Sequence, residues 1–224
     1  MQLNFSENLP ADTYRHKGMR RKLIDSLAEK GIKDERILSA MEQLPRHFFL
    51  EKAFEELAYE DKPFQIGAQQ TISQPFTVAY QTQLLEVKPR EKILEIGTGS
   101  GYQAAVLALL EARVFSIERH ESLYKKSKAI LNNLNLGNIR CRLGDGWKGL
   151  PEFAPFDKIL VTAGAETIPE NLKNQLKIGG ILIVPVGTDA QHMFKITRLS
   201  KEKFSEEAFH QFKFVPMLKG IVKG

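Results

Sequence analysis

From about residue 90 onward, short apolar runs alternate with amphipathic stretches of helical length, and few architectures accept that rhythm. Strands that recur with a crossover helix between them build βαβ units and a mostly parallel sheet. Lys92 to Ile96 reads as a first strand, Tyr102 to Leu110 as the helix after it, Val114 to Glu118 as a second strand and His120 to Asn133 as a second helix. Ile139 to Leu143 and Lys158 to Thr162 follow as strands. Pro169 opens a helix expected to end near Lys177, where Gly179 and Gly180 stop it, and Ile181 to Val186 is the fifth strand. After Gly187 the rhythm changes. Phe194 to Leu199 and Ala208 to Val215 are joined by a polar stretch too short for a crossover helix, so an antiparallel pair should close the sheet. Before residue 90 the chain reads as helical at Tyr14 to Lys30 and Asp34 to Leu44 and irregular from Pro45 to Thr71. It turns helical again near Pro75, with Phe76, Tyr80, Leu84 and Val87 as an apolar stripe.

These 224 residues, 42% hydrophobic and 26% charged, suffice for one core and exclude disorder. The expectation is a single α/β domain: a helical and irregular N-terminal segment over 1–72, a ligand-binding core over 73–190, and the antiparallel pair and tail over 191–224. One cysteine, Cys141, allows no intrachain disulfide and no thiolate zinc site, and it suits a reducing compartment. The first twenty residues carry no apolar stretch with a cleavage site, and nowhere do about 18 uncharged apolar residues run together. A cytoplasmic address is expected, without secretion or membrane spanning. The net charge of +5 invites a nucleic-acid reading. Its densest run, Arg15, Lys17, Arg20, Arg21 and Lys22, wraps around a helix with no interleaved aromatics, so it reads as a solvated face rather than a binding stripe.

Between the first strand and its helix stands Gly97-Thr-Gly99-Ser-Gly101, where backbone can approach a ligand and a helix N-terminus offers free amides. The dinucleotide fingerprint needs glycine at its sixth position, which here is Tyr102, and no Gly-Lys-Ser/Thr follows for a nucleotide triphosphate. A G-x-G-x-G turn of the kind that wraps S-adenosylmethionine remains. Glu118, 21 positions after Gly97 at the end of the second strand, can accept both hydroxyls of a ribose. Asp145, between Gly144 and Gly146 after the third strand, can face an adenine amino group. Each has a plainer reading, as a solvated carboxylate or a turn. Together they converge on the crevice where open α/β sheets bind ligands.

At this point the chain resembles the protein-L-isoaspartate O-methyltransferase family, over about residues 14 to 190. Four blocks carry the likeness: Ala58-Tyr-Glu-Asp61 with Pro63, Gln70-Thr-Ile-Ser-Gln-Pro75, Ile93 to Gln103, and Gly179 to Gly187. Arg46-His47-Phe48 fits the lead-in to that region. The resemblance implies a Rossmann-like methyltransferase fold and a protein repair enzyme. Such an enzyme moves the methyl of S-adenosylmethionine to the free carboxylate of isoaspartyl residues in damaged proteins and peptides. It also implies Ile72, Gly97, Thr98, Gly99, Glu118, Asp145 and Gly146 as cofactor-binding residues, Gln70, Thr71 and Val186 as substrate-binding residues, and a monomer with no specific nucleic-acid partner. Two departures fall on the substrate side: Gln69 stands where the family often has glycine, and Phe49-Leu50 replaces valine-proline.

The chemistry agrees. A carboxylate with a pKa near 4 is already ionised at neutral pH, so methyl transfer needs orientation and desolvation rather than a general base. No metal is expected, since neither the histidines nor the cysteine offer ligand spacing. Ser73, just before the helix opened near Pro75, suits an anion holder. A simple helix cap is the other reading, and the resemblance favours catalysis. Cys141 reads as a small buried hydrophobe; His47, His120 and His192 read as structural or solvated; Trp147 reads as packing, and Asp61 as a holder of the substrate-side loop. Methylation of another acceptor is the nearest rival. The Asn/Asp-Pro-Pro-Tyr/Phe run of amino-methylating nucleic-acid enzymes is replaced here by Thr162-Ala-Gly-Ala-Glu166. A noncatalytic RNA- or protein-binding module on the same fold has only the basic charge in its favour.

Overall fold

The computed structural model describes residues 9–224, so the first eight of the twenty residues read for a secretion signal lie outside the described residues. Helices α1 (Tyr14–Glu29) and α2 (Glu35–Gln43) lead through two 3-10 turns, Arg46–Phe49 and Lys52–Leu57, into a hairpin of β1 (Phe64–Gly67) and β2 (Gln70–Ile72). Helix α3 (Pro75–Leu85) follows. The alternating part then runs β3 (Lys92–Ile96), α4 (Tyr102–Leu109), β4 (Arg113–Glu118), α5 (Glu121–Asn133), β5 (Ile139–Leu143), β6 (Phe156–Val161), α6 (Glu170–Asn174), β7 (Leu176–Val186), β8 (Gln191–Arg198) and β9 (Phe204–Phe212). The main sheet has the order β5-β4-β3-β6-β7-β8-β9. Its strands are parallel from β5 to β7, and β8 and β9 add as antiparallel neighbours. The chain moves outward from β3 to β5, then returns to lay β6 on the other side of β3, which makes the β3/β6 junction the switch point where such sheets bind ligands.

Strand periodicity of two explains how one sheet serves two cores. Ile93, Val114, Leu160, Ile181 and Ile183 point into the layer formed with α1 to α5. Their neighbours Leu94, Phe115, Ile159, Val161, Leu182 and Val184 point into the other layer, which Leu172 of α6, Trp147 and Met217 help to cover.

Three expectations need correction. Helix α6 ends at Asn174, and β7 runs straight through Gly179 and Gly180. These glycines serve a bulge rather than a helix stop: the register with β6 shifts between Phe156 and Lys158, and a Cβ on Gly180 would lie 2.9 Å from the Lys177 carbonyl oxygen and 3.0 Å from that of Asp157. The stretch expected to be irregular holds the β1–β2 hairpin. Its two turn residues, Ala68 and Gln69, take φ of 50° and 56°, values that asparagine or glycine would normally advertise. Finally, Phe76, Tyr80 and Leu84 are only half-buried on α3, while Thr77, Val78, Ala79, Gln81, Thr82 and Leu85 carry its buried face. Polar pegs satisfy that face: Gln81 donates to the Val161 carbonyl at 3.0 Å, Thr82 to the Val78 carbonyl at 2.7 Å, and Gln103 to the Thr82 hydroxyl at 2.9 Å.

Candidate active site

Leaving β3, the chain must reverse tightly into α4, and glycines make this possible. Gly97, Gly99 and Gly101 have φ of 96°, 53° and 92°. A Cβ at Gly97 would meet Thr162 Oγ1 at 2.5 Å, because that hydroxyl sits against the turn and donates to the carbonyls of Ile96 and Gly97. Gly101 caps α4 with no side chain of its own, and the Tyr102 amide donates to the Ser100 hydroxyl at 3.3 Å. Glu118, the last residue of β4 and 4% exposed, accepts from the Gly99 amide at 2.8 Å and the His120 amide at 2.9 Å, so its carboxylate is locked beside the turn. Beneath the turn lies a second carboxyl, Glu95. Ser116 donates to it, and Ser116 in turn contacts the Thr98 hydroxyl at 2.5 Å. Glu95 is fully buried, its Oε1 has no partner among the described residues, and desolvation pushes its pKa up to about 8.

Gly146 touches the same space, and a Cβ there would come within 2.4 Å of Ile96 Cγ2. The Asp145 carboxylate accepts from the Trp147 amide at 3.0 Å and the Gly220 amide at 2.9 Å. It therefore ties the C-terminal tail to the site. That tail runs along the loop after β6, with Gly164 donating to the Val215 carbonyl and Met217 to the Gly164 carbonyl at 2.8 Å each. It then crosses Arg119, whose guanidinium donates to the carbonyls of Lys219 and Gly220.

The opposite wall comes from the hairpin and the start of α3. Ser73 precedes the cap residue Gln74, which makes no side-chain cap bond, and Asp61 instead accepts from the Phe76 amide at 2.8 Å. The first-turn acceptor of α3 is thus Asp61, which leaves the Ser73 hydroxyl without a capping role. Behind Ser73, the fully buried Arg46 donates to the Ser73 carbonyl at 2.9 Å and lies over the Tyr102 ring at 5.0 Å. Its Nε and Nη1 have no partner among the described residues, and burial lowers its pKa to about 10.

One cleft, about 790 Å³ of open space, joins these parts. Nine of the residues expected at the site line it: Gln70, Thr71, Ile72, Ser73, Gly97, Thr98, Gly99, Glu118 and Gly146. Asp145 is not among the lining residues, although its neighbour Gly146 is. Val186 is not among the lining residues; it ends β7, opposite His192 and bridged to Ala165. Sequence reasoning missed Thr162, Ala163 and the tail residues Val215 to Leu218, which also form the wall. The switch-point rule could have drawn attention to Thr162 at the end of β6, whereas nothing local marks the tail.

The support of the hairpin wall is polar. Arg20, expected in solvent with the other basic residues of α1, is 6% exposed. It clamps Asp12 through both Nη atoms at 3.0 Å, and donates to the Tyr59 hydroxyl and the Glu42 carbonyl. Tyr59 meets His47 Nδ1 at 2.7 Å, and the rings of His47 and His16 lie 4.0 Å apart. Burial lowers the His47 pKa to about 4, so the ring is neutral. Donor atoms of Asp12, His16 and His47 lie within 4.8 Å of one another, a grouping their spacing does not reveal, yet the Arg20 guanidinium already supplies the positive charge there. Burial pushes Cys141 up to about 12, in keeping with an inert thiol.

Known proteins are similar to this chain in sequence and in fold. The chain is 54% identical over 207 residues to the protein-L-isoaspartate O-methyltransferase of Christiangramia forsetii, covering 92% of this chain and 97% of that one. It is 46% identical over 220 residues to that of Salinibacter ruber, covering 93% and 95%. A solved protein-L-isoaspartate O-methyltransferase superposes with a TM-score of 0.81 at 31% identity, over 88% of this chain and 65% of that one. A putative one from Plasmodium falciparum, in complex with S-adenosyl-L-homocysteine, superposes at 0.80 with 25% identity over 90% and 99%. The family profile for protein-L-isoaspartate(D-aspartate) O-methyltransferase matches residues 18–221. With that match, with half its residues shared with such relatives, and with the glycine turn and Ser73 facing one cleft, the chain belongs to the protein-L-isoaspartate(D-aspartate) O-methyltransferase family.

Proposed function

We propose that Ser73 and the backbone around it hold the free carboxylate of an L-isoaspartyl residue, while the wall of Gly97, Thr98, Gly99, Glu118 and Gly146 holds S-adenosylmethionine for methyl transfer. The observation that carries this reading is the shared cleft: a ribose-competent carboxylate on one side and, on the other, the Ser73 hydroxyl before a helix whose first-turn acceptor among the described residues is Asp61. The residues fit the cofactor, because Gly97 and Gly146 leave space that any Cβ would fill. When bound, the cofactor supplies an activated methyl on a sulfonium. The chain's own task is to strip water from the acceptor and align it, and orientation of this kind is worth roughly 7 to 11 kcal/mol. Ser73 donates to the carboxylate, the α3 N-terminus favours its charge, and Arg46 holds the Ser73 carbonyl from behind. Of the hairpin residues that line the cleft, Ile72 serves the cofactor in this reading, and Gln70 and Thr71 serve the substrate. The acceptor is already ionised, so the chemistry calls for neither general base nor metal. The same reading takes isoaspartyl peptides and proteins as partners, not nucleic acid, and a monomer in a reducing cytoplasm. In its favour, Arg15 and Arg21 are exposed and paired with Glu56, Asp25 and Glu42 rather than free for phosphates.

The test is Ser73→Ala. Since Asp61 rather than Ser73 caps α3, stability should stay within about 0.5 kcal/mol. Single-turnover transfer to an isoaspartyl peptide should fall about 10-fold to 100-fold, the scale of a hydrogen bond to a charged group. A stable, fully active variant would remove Ser73 from the mechanism and leave the positioning to backbone amides.

A further inference from the structure

Helix α3 carries an apolar stripe that the core covers only in part. Its deeply buried face is Thr77, Val78, Ala79, Gln81, Thr82 and Leu85, whereas Phe76 and Tyr80 are half-exposed. Across from them, the end of β9, an edge of the main sheet, brings Phe212, and the chain continues through Phe214. The rings form a chain: Phe76 stacks on Tyr80 at 5.7 Å, Tyr80 meets Phe212 at 5.4 Å, and Phe212 meets Phe214 at 6.3 Å. All four keep part of their surface in water. Both ends of this shelf run into the cleft, since Phe76 follows Ser73 by three residues and Phe214 directly precedes Val215, both cleft-lining positions.

We propose that this aromatic shelf is the subsite for a bulky apolar side chain, aromatic above all, flanking the isoaspartyl residue of the substrate. The inference rests on the reading of Ser73 as the acceptor's anchor. Tyr80 lies seven residues beyond Ser73, five steps along α3 and two before it, so the separation is about 7 to 14 Å, which about two to four residues of extended peptide span. A flanking aromatic two or three positions from the acceptor therefore reaches Tyr80 and Phe212 while the carboxylate stays at Ser73. Stacked and tilted rings that stay half-wet are suited to aromatic pairing with a partner that excludes the remaining water. A ring stack that served only to fasten β9 to α3 would not distinguish between peptides.

The experiment compares two isoaspartyl peptides of equal length and charge, one with phenylalanine three positions from the acceptor and one with glycine there. In the wild type the phenylalanine peptide should have a KM about three- to tenfold lower, the scale of one aromatic pair. In Tyr80→Ala, and in Phe212→Leu should the first variant fail to fold, that ratio should fall toward one. Tyr14→Ala, at a ring 93% exposed on α1, should keep it. Equal KM values in the wild type would overturn the shelf while leaving the methyltransferase reading intact, as would a ratio that survives in the folded shelf variants. No transfer to either peptide would overturn the methyltransferase reading itself, and the shelf with it.

Discussion

The wall built on β3, β4 and α4 is set in aliphatic packing, with Ile93, Leu94, Val106, Leu107 and Val114 fully buried, one carboxyl, Glu95, sealed among them and a second, Glu118, at the cleft edge and 4% exposed. The support of the facing wall, residues 9–72, is pinned by buried polar side chains: His16, Arg20, Arg46 and His47 are all at most 6% exposed. Apolar packing is non-directional and tolerates a lone misfit. A polar network holds only while each member keeps its protonation state and partner. The two halves of one cleft should therefore answer differently to pH and to substitution, and the misfit groups give opposite signs.

The largest effect belongs to Glu95. With its folded-state pKa raised to about 8 against an ordinary carboxyl value, the unfolded chain ionises first. Stability should fall as pH rises from about 4.5 to 8, by roughly 5 kcal/mol. Glu95→Gln should abolish that slope, and urea midpoints at pH 5 and pH 8 measure it. Parallel profiles for variant and wild type would mean that the carboxyl is ionised in place.

His47 runs the other way. Held neutral with a pKa near 4, it leaves the unfolded chain to take up the proton first as pH falls through 6.5. Roughly 3 kcal/mol should be lost between pH 6.5 and 4, and His47→Gln should flatten that limb. Hydrogen exchange should place the loss in α1 and the turn at Arg46–Phe49 rather than in the sheet; uniform loss would break the distinction between the walls. Between about pH 4.5 and 6.5 the two slopes offset each other.

Next comes a change at the binding turn. Glu118→Ala should weaken S-adenosylmethionine by about 1.5 to 3 kcal/mol, the range for hydrogen bonds to a charged group, and, since the Gly99 and His120 amides lose their acceptor, cost about 1 to 3 kcal/mol of stability while the fold stays intact. Calorimetric titration with unchanged affinity would remove Glu118 from the ribose. The smallest effect sharpens the picture of the hairpin wall. Gln69 sits at φ 56°, where a side chain is strained, so Gln69→Gly should stabilise the protein by about 0.5 to 1 kcal/mol. A destabilised variant would mean that the Gln69 side chain makes contacts worth more than the strain.

Where one signal governed, the chain could be read directly. Strands β3 to β6, α4 and α5 follow from apolar periodicity, and the turn at Gly97 to Gly101 from glycine spacing, because these are local consequences of backbone geometry. Gly179 and Gly180 misled because a glycine pair marks a helix stop and a bulge equally well, and only pairing with β6 separates the two. The β1–β2 hairpin hid behind Ala68 and Gln69, which lack the usual residue types for their φ.

Fold class, the glycine turn and the placing of Glu118 beside it were thus legible in the order of residues, since hydrophobic period and glycine conformation act over a few positions. The tertiary structure alone decided that Arg20 is buried rather than solvated, that Asp61 rather than Ser73 caps α3, and that Phe76 and Tyr80 face outward beside Phe212. It also decided that the tail from Val215 to Leu218 completes the cleft, and that Val186 does not. Each of these turns on which distant partner reaches a side chain first, and a satisfied donor or a filled space depends on residues tens of positions away.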